Sequence, residues 1–352
     1  MVMIKMVLLK ILLNVVVFSV LILTTVHSTI YDVEKYILNM PNVQPKKSDQ
    51  YLCTPVKVNP SLSYYIVGFQ PNASMNTVHH MILYGCKRPG LSKPVWNCGE
   101  MSTLDMQNHE GYANPCFEGN IIIYAWARDA PMLKLPDNVA FKVGKDTDIL
   151  YLVLQVHYNH VEHFKDGTVD NSGVILHYTE NPMPRLAGVL LMGTAGEIQP
   201  YSLESMETAC PIQEDKVIHP FAFRTHTHEL GVRVVGYRVR RKNGMLHWTM
   251  IGERDPMDPQ MFYEVEKPLI IKKDDYVAAA CKMDATKRDR VTRVGATSKN
   301  EMCNFYMMYW VEDSAPLDQQ YCFTNGPPFY YWTQDFEDIP DIEKLEYRKT
   351  ET

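Results

Sequence analysis

Eight short runs of β-branched and aromatic residues constrain the fold of this 352-residue chain more than any other feature. They are VHHMILYG (78–85), NIIIYAWA (120–127), ILYLVLQVHYN (149–159), GVILHYT (173–179), VRVVGYRVR (232–240), LHWTMIG (246–252), DYVAAACKM (275–283) and FYMMYWVE (305–312). Clusters of Gly, Pro, Asn and Asp separate them, which is the pattern of an all-β sandwich. Beyond the N-terminal segment no stretch sustains a 3.6-residue periodicity, so helices are not expected to build the core.

The N-terminus addresses the compartment. Lys5 and Lys10 precede an apolar run at 11–23 broken only by Asn14 and Ser19, and small and polar residues follow to Ser28. That order reads as a secretory signal peptide, residues 1–28, and predicts a protein of the secretory pathway, in the granule lumen or secreted. A membrane association arises only if this segment is an uncleaved anchor, since counted from Met6 it approaches the roughly 20 residues that span a bilayer. Cys53, Cys86, Cys98, Cys116, Cys210, Cys281, Cys303 and Cys322 all follow it. An even count in an exported chain favours disulfides, with 105 possible connectivities. No C-x2-C pair is present, which argues against a thiolate zinc site.

The cysteines divide four and four about ENPMPRL (180–186), where two prolines interrupt the strand pattern. The split predicts two tandem, separately stapled antiparallel β-sandwich domains, 45–180 and 181–325. Residues 326–352, acidic and then mixed, read as a loosely attached tail. The polar segment 99–115 reads as a surface loop between Cys98 and Cys116; its His109 is not assigned to a metal. Asn72 opens an Asn-Ala-Ser glycosylation sequon.

A net charge of −6 without a long basic run argues against nucleic acid as a partner. The cluster Arg238, Arg240, Arg241 and Lys242 reads as a solvated strand end. The twelve histidines carry more information. In FRTHTHELG (223–231), residues two apart share a strand face, so His226 and His228 can share one metal, although an isolated H-x-H is as readily a surface pair. His79 and His80 start another strand, and His157 ends the most apolar one, where a polar side chain requires a partner. Adjacent His79 and His80 would face opposite sides of a regular strand, so a bulge or strand end must turn one of them.

The set VHHMILYGC, LQVHYN, FRTHTHELG and NEMCNFYMMYW, in this order and joined by YAWARDAP, LPDNVAFKVG and GATSKNEMCN, closely resembles the peptidylglycine α-hydroxylating monooxygenase family. The resemblance runs from about Tyr51 to Cys322 and implies jelly-roll-like domains facing each other across a solvent-filled cleft. It also implies two copper ions, ascorbate as reductant and molecular oxygen as co-substrate. His79, His80 and His157 match the ligands of the electron-storing copper; His226, His228 and Met302 match those of the copper where oxygen is activated. The implied substrates are glycine-extended peptides, with Arg224, Asn304 and Tyr306 matching the contacts to their terminal carboxylate. Gln155 matches a residue placed on the electron route. The implied disulfides are Cys53 to Cys98, Cys86 to Cys116, Cys210 to Cys322 and Cys281 to Cys303. Vertebrate members carry a further bridge ending at the position of Asn171, which implies a less cohesive first domain here. A form without a lyase domain is expected, so that a separate peptidylhydroxyglycine lyase would act downstream. The alternatives are a catecholamine-type copper monooxygenase, which needs no carboxylate clamp, and a secreted, non-catalytic metal-binding module.

Overall fold

The computed structural model describes residues 32–99, 112–295 and 299–340. The leader, most of the 99–115 loop with His109, and residues 341–352 lie outside the described residues. Each of the eight runs forms a strand: His80–Cys86, Ile121–Ala127, Tyr151–Tyr158, Gly173–Thr179, Gly231–Lys242, Met245–Arg254, Tyr276–Asp284 and Asn304–Glu312. Helical structure among the described residues is confined to two 3-10 turns, Glu162–Asp166 and Trp332–Gln334. No helix among them is long and apolar enough to cross a membrane.

Several strands were not legible as runs. Gln50–Lys57, Ser63–Asn72 and His219–His226 each contain a proline, at 55, 71 and 220. Proline removes a ladder donor and is tolerated at edges and bulges. Pro220 sits where the pairing with Asn304–Glu312 slips its register.

In the first half, Glu34–Asn39, Gly173–Thr179, Ser63–Asn72 and Val139–Gly144 form one layer. Gln50–Lys57, Tyr151–Tyr158, His80–Cys86 and Ile121–Ala127 form the facing one. In the second half, Leu203–Pro211, Tyr276–Asp284, Gly231–Lys242 and Met245–Arg254 make a four-stranded sheet. It faces Arg185–Thr194, Asn304–Glu312 and His219–His226. The pairing is not wholly antiparallel. Val139–Gly144 runs parallel to Arg185–Thr194 over two residue pairs, and Tyr321–Thr324 pairs parallel on the same strand. The first of these contacts joins the halves into one ten-stranded sheet.

That junction buries Arg185–Thr194 and Asn304–Glu312 on both faces, which is why FYMMYWVE reads as a continuous apolar run instead of an alternating one. Leu190, Met192, Phe305, Met307 and Tyr309 pack into the second sandwich, whereas Val189, Leu191, Tyr306 and Met308 join the core of the first. Tyr124 stacks on Phe262 across the junction, with ring centroids 6.4 Å apart. Within the second sandwich Phe223 and Phe305 stack at 5.5 Å over Gly252 and Gly236, where a Cβ would approach those rings to 2.2 and 2.4 Å. The two glycines let these rings seat, and so settle the strands that carry Arg224, His226, Asn304 and Tyr306.

The four disulfides are Cys53–Cys98, Cys86–Cys116, Cys210–Cys322 and Cys281–Cys303, the pairing that the family resemblance implied. None joins the two halves.

The expectation of a loose tail is corrected for residues 326–340. Trp332 is fully buried against Val235, Tyr237, Val239, Ala278 and Ala280 on the outer face of the four-stranded sheet. Its indole Nε1–H donates to the Thr208 carbonyl at 3.0 Å, and its backbone N–H to Glu207 Oε2 at 2.6 Å. The acidic composition concealed three aromatic anchors, Tyr330, Trp332 and Phe336. Trp332→Ala is expected to cost about 3–5 kcal/mol, read by denaturant unfolding; a loss under about 1 kcal/mol would mean the segment adds little to the sheet.

Candidate metal centre

Strand register assembles the first histidine group. His157 pairs directly with His80, and the His79 N–H donates to the His157 carbonyl at 2.9 Å. His79 stands just before the first residue of its strand, outside the pleat. Its ring can therefore turn to the side its neighbour uses, which resolves the adjacent-pair difficulty.

The three Nδ1 atoms form a triangle with sides of 3.2, 3.2 and 3.3 Å. Three nitrogens about 2.0–2.1 Å from a common ion in their plane would stand about 3.5 Å apart. The triangle thus has close to the edge of a three-coordinate nitrogen site, and a cation between the lone pairs relieves their mutual repulsion. The His157 ring stacks on Tyr51, centroids 4.1 Å apart, and its Nε2 lies 3.2 Å from Asp49 Oδ1. A proton on Nε2 donated to that carboxylate leaves Nδ1 free to ligate, the usual outer support of a metal-binding histidine. Burial, followed by the neighbouring imidazoles of His79 and His228, lowers His157 to a pKa of about 3. Burial likewise holds His80 well below the ordinary imidazole range. Both rings are consequently neutral near pH 7, the form that binds metal.

Gln155, two residues before His157, is fully buried. Its Nε2 donates to the Gly99 carbonyl at 3.0 Å, and its Oε1 accepts from the Tyr84 hydroxyl at 3.4 Å.

The second group uses the opposite ring nitrogen. His226 is the last residue of its strand and His228 lies two beyond; their ring centroids are 5.4 Å apart. His226 Nδ1–H donates to Gln260 Oε1 at 2.9 Å and His228 Nδ1–H to the Asn300 carbonyl at 3.0 Å, so each Nε2 remains available. Met302 lines the same pocket, and the Asn304 amide lies 3.7 Å from its sulfur. Burial first, then the charge of Arg224, pushes His226 well below its ordinary pKa.

Arg224 is buried at 4% exposure. Its Nε donates to the Gln260 carbonyl and its Nη2 to Gln260 Oε1, both at 3.1 Å, while the guanidinium lies 5.1 Å from the Tyr306 ring centre. Among the described residues no carboxylate pairs with it. Tyr306 pairs in register with Arg224, and burial raises its phenol pKa, keeping it a neutral donor.

Tyr51, His80, Arg224, His226, His228, Met302 and Tyr306 line one pocket of about 40 Å³ between the halves. In this structure the space between the histidine groups is thus small. Beside it Arg128 Nη1 donates to the Met257 carbonyl at 2.6 Å across the junction.

Asp49, Tyr51, Gln260 and Glu301 escaped sequence reasoning as parts of the site. Only Glu301 had a local signal, its adjacency to Met302.

Three imidazoles on one side of the junction and two imidazoles with a thioether on the other are donors suited to a redox metal, since nitrogen with soft sulfur favours copper over zinc, calcium or magnesium. Residues 36–165 match the N-terminal domain, and residues 185–335 the C-terminal domain, of the copper type II ascorbate-dependent monooxygenases, and the chain belongs to that family. Copper, ascorbate and molecular oxygen come with that membership, and both donor sets fit copper. The chain is 39% identical over 297 residues to the peptidylglycine alpha-amidating monooxygenase of Rattus norvegicus, covering 84% of this chain and 29% of that protein. It is 37% identical over 310 residues to the peptidyl-glycine alpha-amidating monooxygenase A of Xenopus laevis, covering 88% and 31%. DBH-like monooxygenase protein 1 of Gallus gallus is 28% identical over 251 residues, covering 67% and 39%. The chain therefore spans under a third of the length of the amidating relatives it matches.

Proposed function

We propose that this chain hydroxylates the α-carbon of the C-terminal glycine of glycine-extended peptides, the first step of peptide amidation. His79, His80 and His157 hold one copper through Nδ1; His226 and His228, through Nε2, hold the other with Met302. The observation that carries the substrate class is Arg224, a buried guanidinium without a carboxylate partner among the described residues, on the wall that carries His226, His228 and Met302. Such a cation is costly to bury unpaired, and its planar donor fork suits a carboxylate. A peptide terminus held there would bring its last Cα into the pocket that His226, His228 and Met302 line. Copper supplies one-electron chemistry with oxygen at the expense of ascorbate; the protein orients the peptide, excludes water and keeps the imidazoles neutral.

Arg224 shares a strand face with His226 and pairs in register with Tyr306, and His226 pairs with Asn304. Tyr306 and Asn304 complete the carboxylate contacts in this reading. Gln260 accepts from both Arg224 and His226, coupling substrate position to metal position. Gln260→Ala is expected to weaken copper binding at the second group by about 10–100-fold, with the first group unchanged, in chelator competition. Equal affinities would remove Gln260 from the site.

The product, an α-hydroxyglycine, still requires cleavage of its N–Cα bond, so a lyase activity belongs next in the sequence. Four disulfides support an oxidising compartment such as the secretory lumen. The test is mass-spectrometric turnover of a glycine-extended peptide by the copper-loaded chain with ascorbate and oxygen. One added oxygen atom on the terminal glycine, absent without copper, is expected; no product from protein holding two coppers would shift the assignment to another substrate, such as a catecholamine.

A further inference from the structure

Glu301 is 1% exposed, and its carboxylate accepts three backbone N–H groups. Its Oε1 accepts from the N–H groups of His228 and Met302, the latter at 3.0 Å, and its Oε2 from the Leu230 N–H at 2.6 Å. The residue before it contributes as well, because the Asn300 carbonyl accepts the His228 ring N–H at 3.0 Å. Residues 300 and 301 thus grip both the main chain and the ring of His228, while Met302 follows directly.

Neither His228, Leu230 nor Met302 belongs to a strand, so no ladder fixes their separation. Methionine is unbranched and has three rotatable side-chain bonds. A weak thioether donor of that kind cannot organise its own approach to a metal. The position of its main chain must be set by other contacts.

Outward of Met302, Cys303 is tied to Cys281 by a disulfide and Asn304 begins a strand. On the other side, the Glu301 N–H donates to the Arg293 carbonyl and the Gly295 N–H to the Glu301 carbonyl, each at 2.9 Å. The Glu301 main chain is therefore fixed, and its carboxylate extends from a rigid base.

We propose that Glu301 is the positioning residue that sets the distance between His228 and Met302, making a two-imidazole, one-thioether site out of segments more than seventy residues apart. The inference rests on the ligand set proposed above. One carboxylate oxygen joins the main chains of both ligand-bearing residues, and the second oxygen holds the turn that follows His228. The role is geometric: Glu301 touches neither substrate nor metal.

Glu301→Gln keeps the shape and replaces one oxygen with an NH2 group. If the remaining oxygen faces His228 and Met302, the new donor meets the Leu230 N–H; in the other orientation it meets two N–H groups. Either way, donors face donors in a buried site.

The test compares the full-length wild-type chain with Glu301→Gln and Glu301→Asp, each loaded with copper and reduced by ascorbate. X-ray absorption should show a Cu–S contribution in the wild type that Glu301→Gln loses. Chelator competition should show affinity at the second group falling about 10–100-fold while the first group is unchanged. Glu301→Asp, which keeps both oxygens, should lie between them.

A merely structural role would lower the melting temperature and leave Cu–S scattering and copper affinity of the folded protein as in the wild type; that result overturns the proposal. Should Glu301→Gln fail to fold, amide exchange in the metal-free wild type decides. The His228, Leu230 and Met302 amides should be protected although they lie outside strands, and exchange at open-loop rates overturns the proposal. These readouts use no peptide. A wild type with two coppers and Cu–S scattering but no hydroxylation sinks the peptide reading alone, whereas a wild type without Cu–S scattering overturns the ligand set and this inference with it.

Discussion

Met302→Ile is expected to lower peptide hydroxylation by more than about 100-fold, beyond the 10–100-fold typical of losing an outer partner of a metal ligand. Isoleucine is apolar and of similar size, so the half-buried position should accept it with little strain. The change removes the thioether that shares the pocket with His226, His228, Arg224 and Tyr306; the pocket's other methionine, Met81, comes from the first half, on the strand His80–Cys86. Without it the second group offers two nitrogens, and the preference for reduced copper that a soft donor confers is lost. The flanking Cys281–Cys303 disulfide and the strand Asn304–Glu312 should keep the local fold. Turnover, copper content and melting temperature measured together separate the outcomes. Near-normal turnover would take Met302 out of the mechanism, and a collapsed melting temperature would show that its contribution is packing.

Arg224→Ala should act on substrate instead of metal. Truncating one partner of a buried, hydrogen-bonded charge pair costs about 2–5 kcal/mol, and the lower figure is already about 30-fold in affinity. The loss should appear chiefly as a higher KM for glycine-extended peptides. A second comparison isolates the cause. The wild type should discriminate strongly between a free C-terminal carboxylate and its amide, and the variant should not. An unchanged KM, or discrimination that survives the substitution, would remove the clamp from the reading. Because Arg224 also donates to Gln260, which accepts from His226, copper content must be measured in the same samples.

Two of the strands that the sequence revealed are buried almost throughout. Tyr151–Tyr158 and Asn304–Glu312 bury nearly every residue, and an unbroken apolar run is legible as such. Gln50–Lys57 and His219–His226 were not, because proline and polar residues interrupt them, although each carries or flanks part of the site. The tail misled for a related reason: its charges lie on the surface, and the contacts that fasten it come from Trp332 and a few neighbours.

The donor residues were legible because their chemistry requires particular side chains in a local pattern: histidines adjacent, two apart, or ending an apolar strand. Recognising Met302 required a whole-chain resemblance, since one methionine among twenty has no distinguishing spacing. The bonds that tie the supporting residues to the ligands were invisible for a physical reason. Asp49 reaches His157 across 108 positions, Gln260 reaches His226 across 34, and Glu301 reaches His228 across 73. A hydrogen bond of that range leaves no local signature, because its partner is chosen by strand pairing and not by neighbours in the chain.

From sequence alone came the all-β class, the four-and-four grouping of cysteines and the histidines able to bind metal, set by composition and short-range pattern, with Met302 added by resemblance along the whole chain. Tertiary structure decided which ring nitrogen each histidine turns inward, that the two sandwiches share a sheet and a core, and that His80 of the first group lines the same pocket as His226, His228 and Met302. Those outcomes depend on register, on parallel pairing of Val139–Gly144 with Arg185–Thr194, and on hydrogen bonds to distant acceptors, none of which is encoded in any one stretch of the chain.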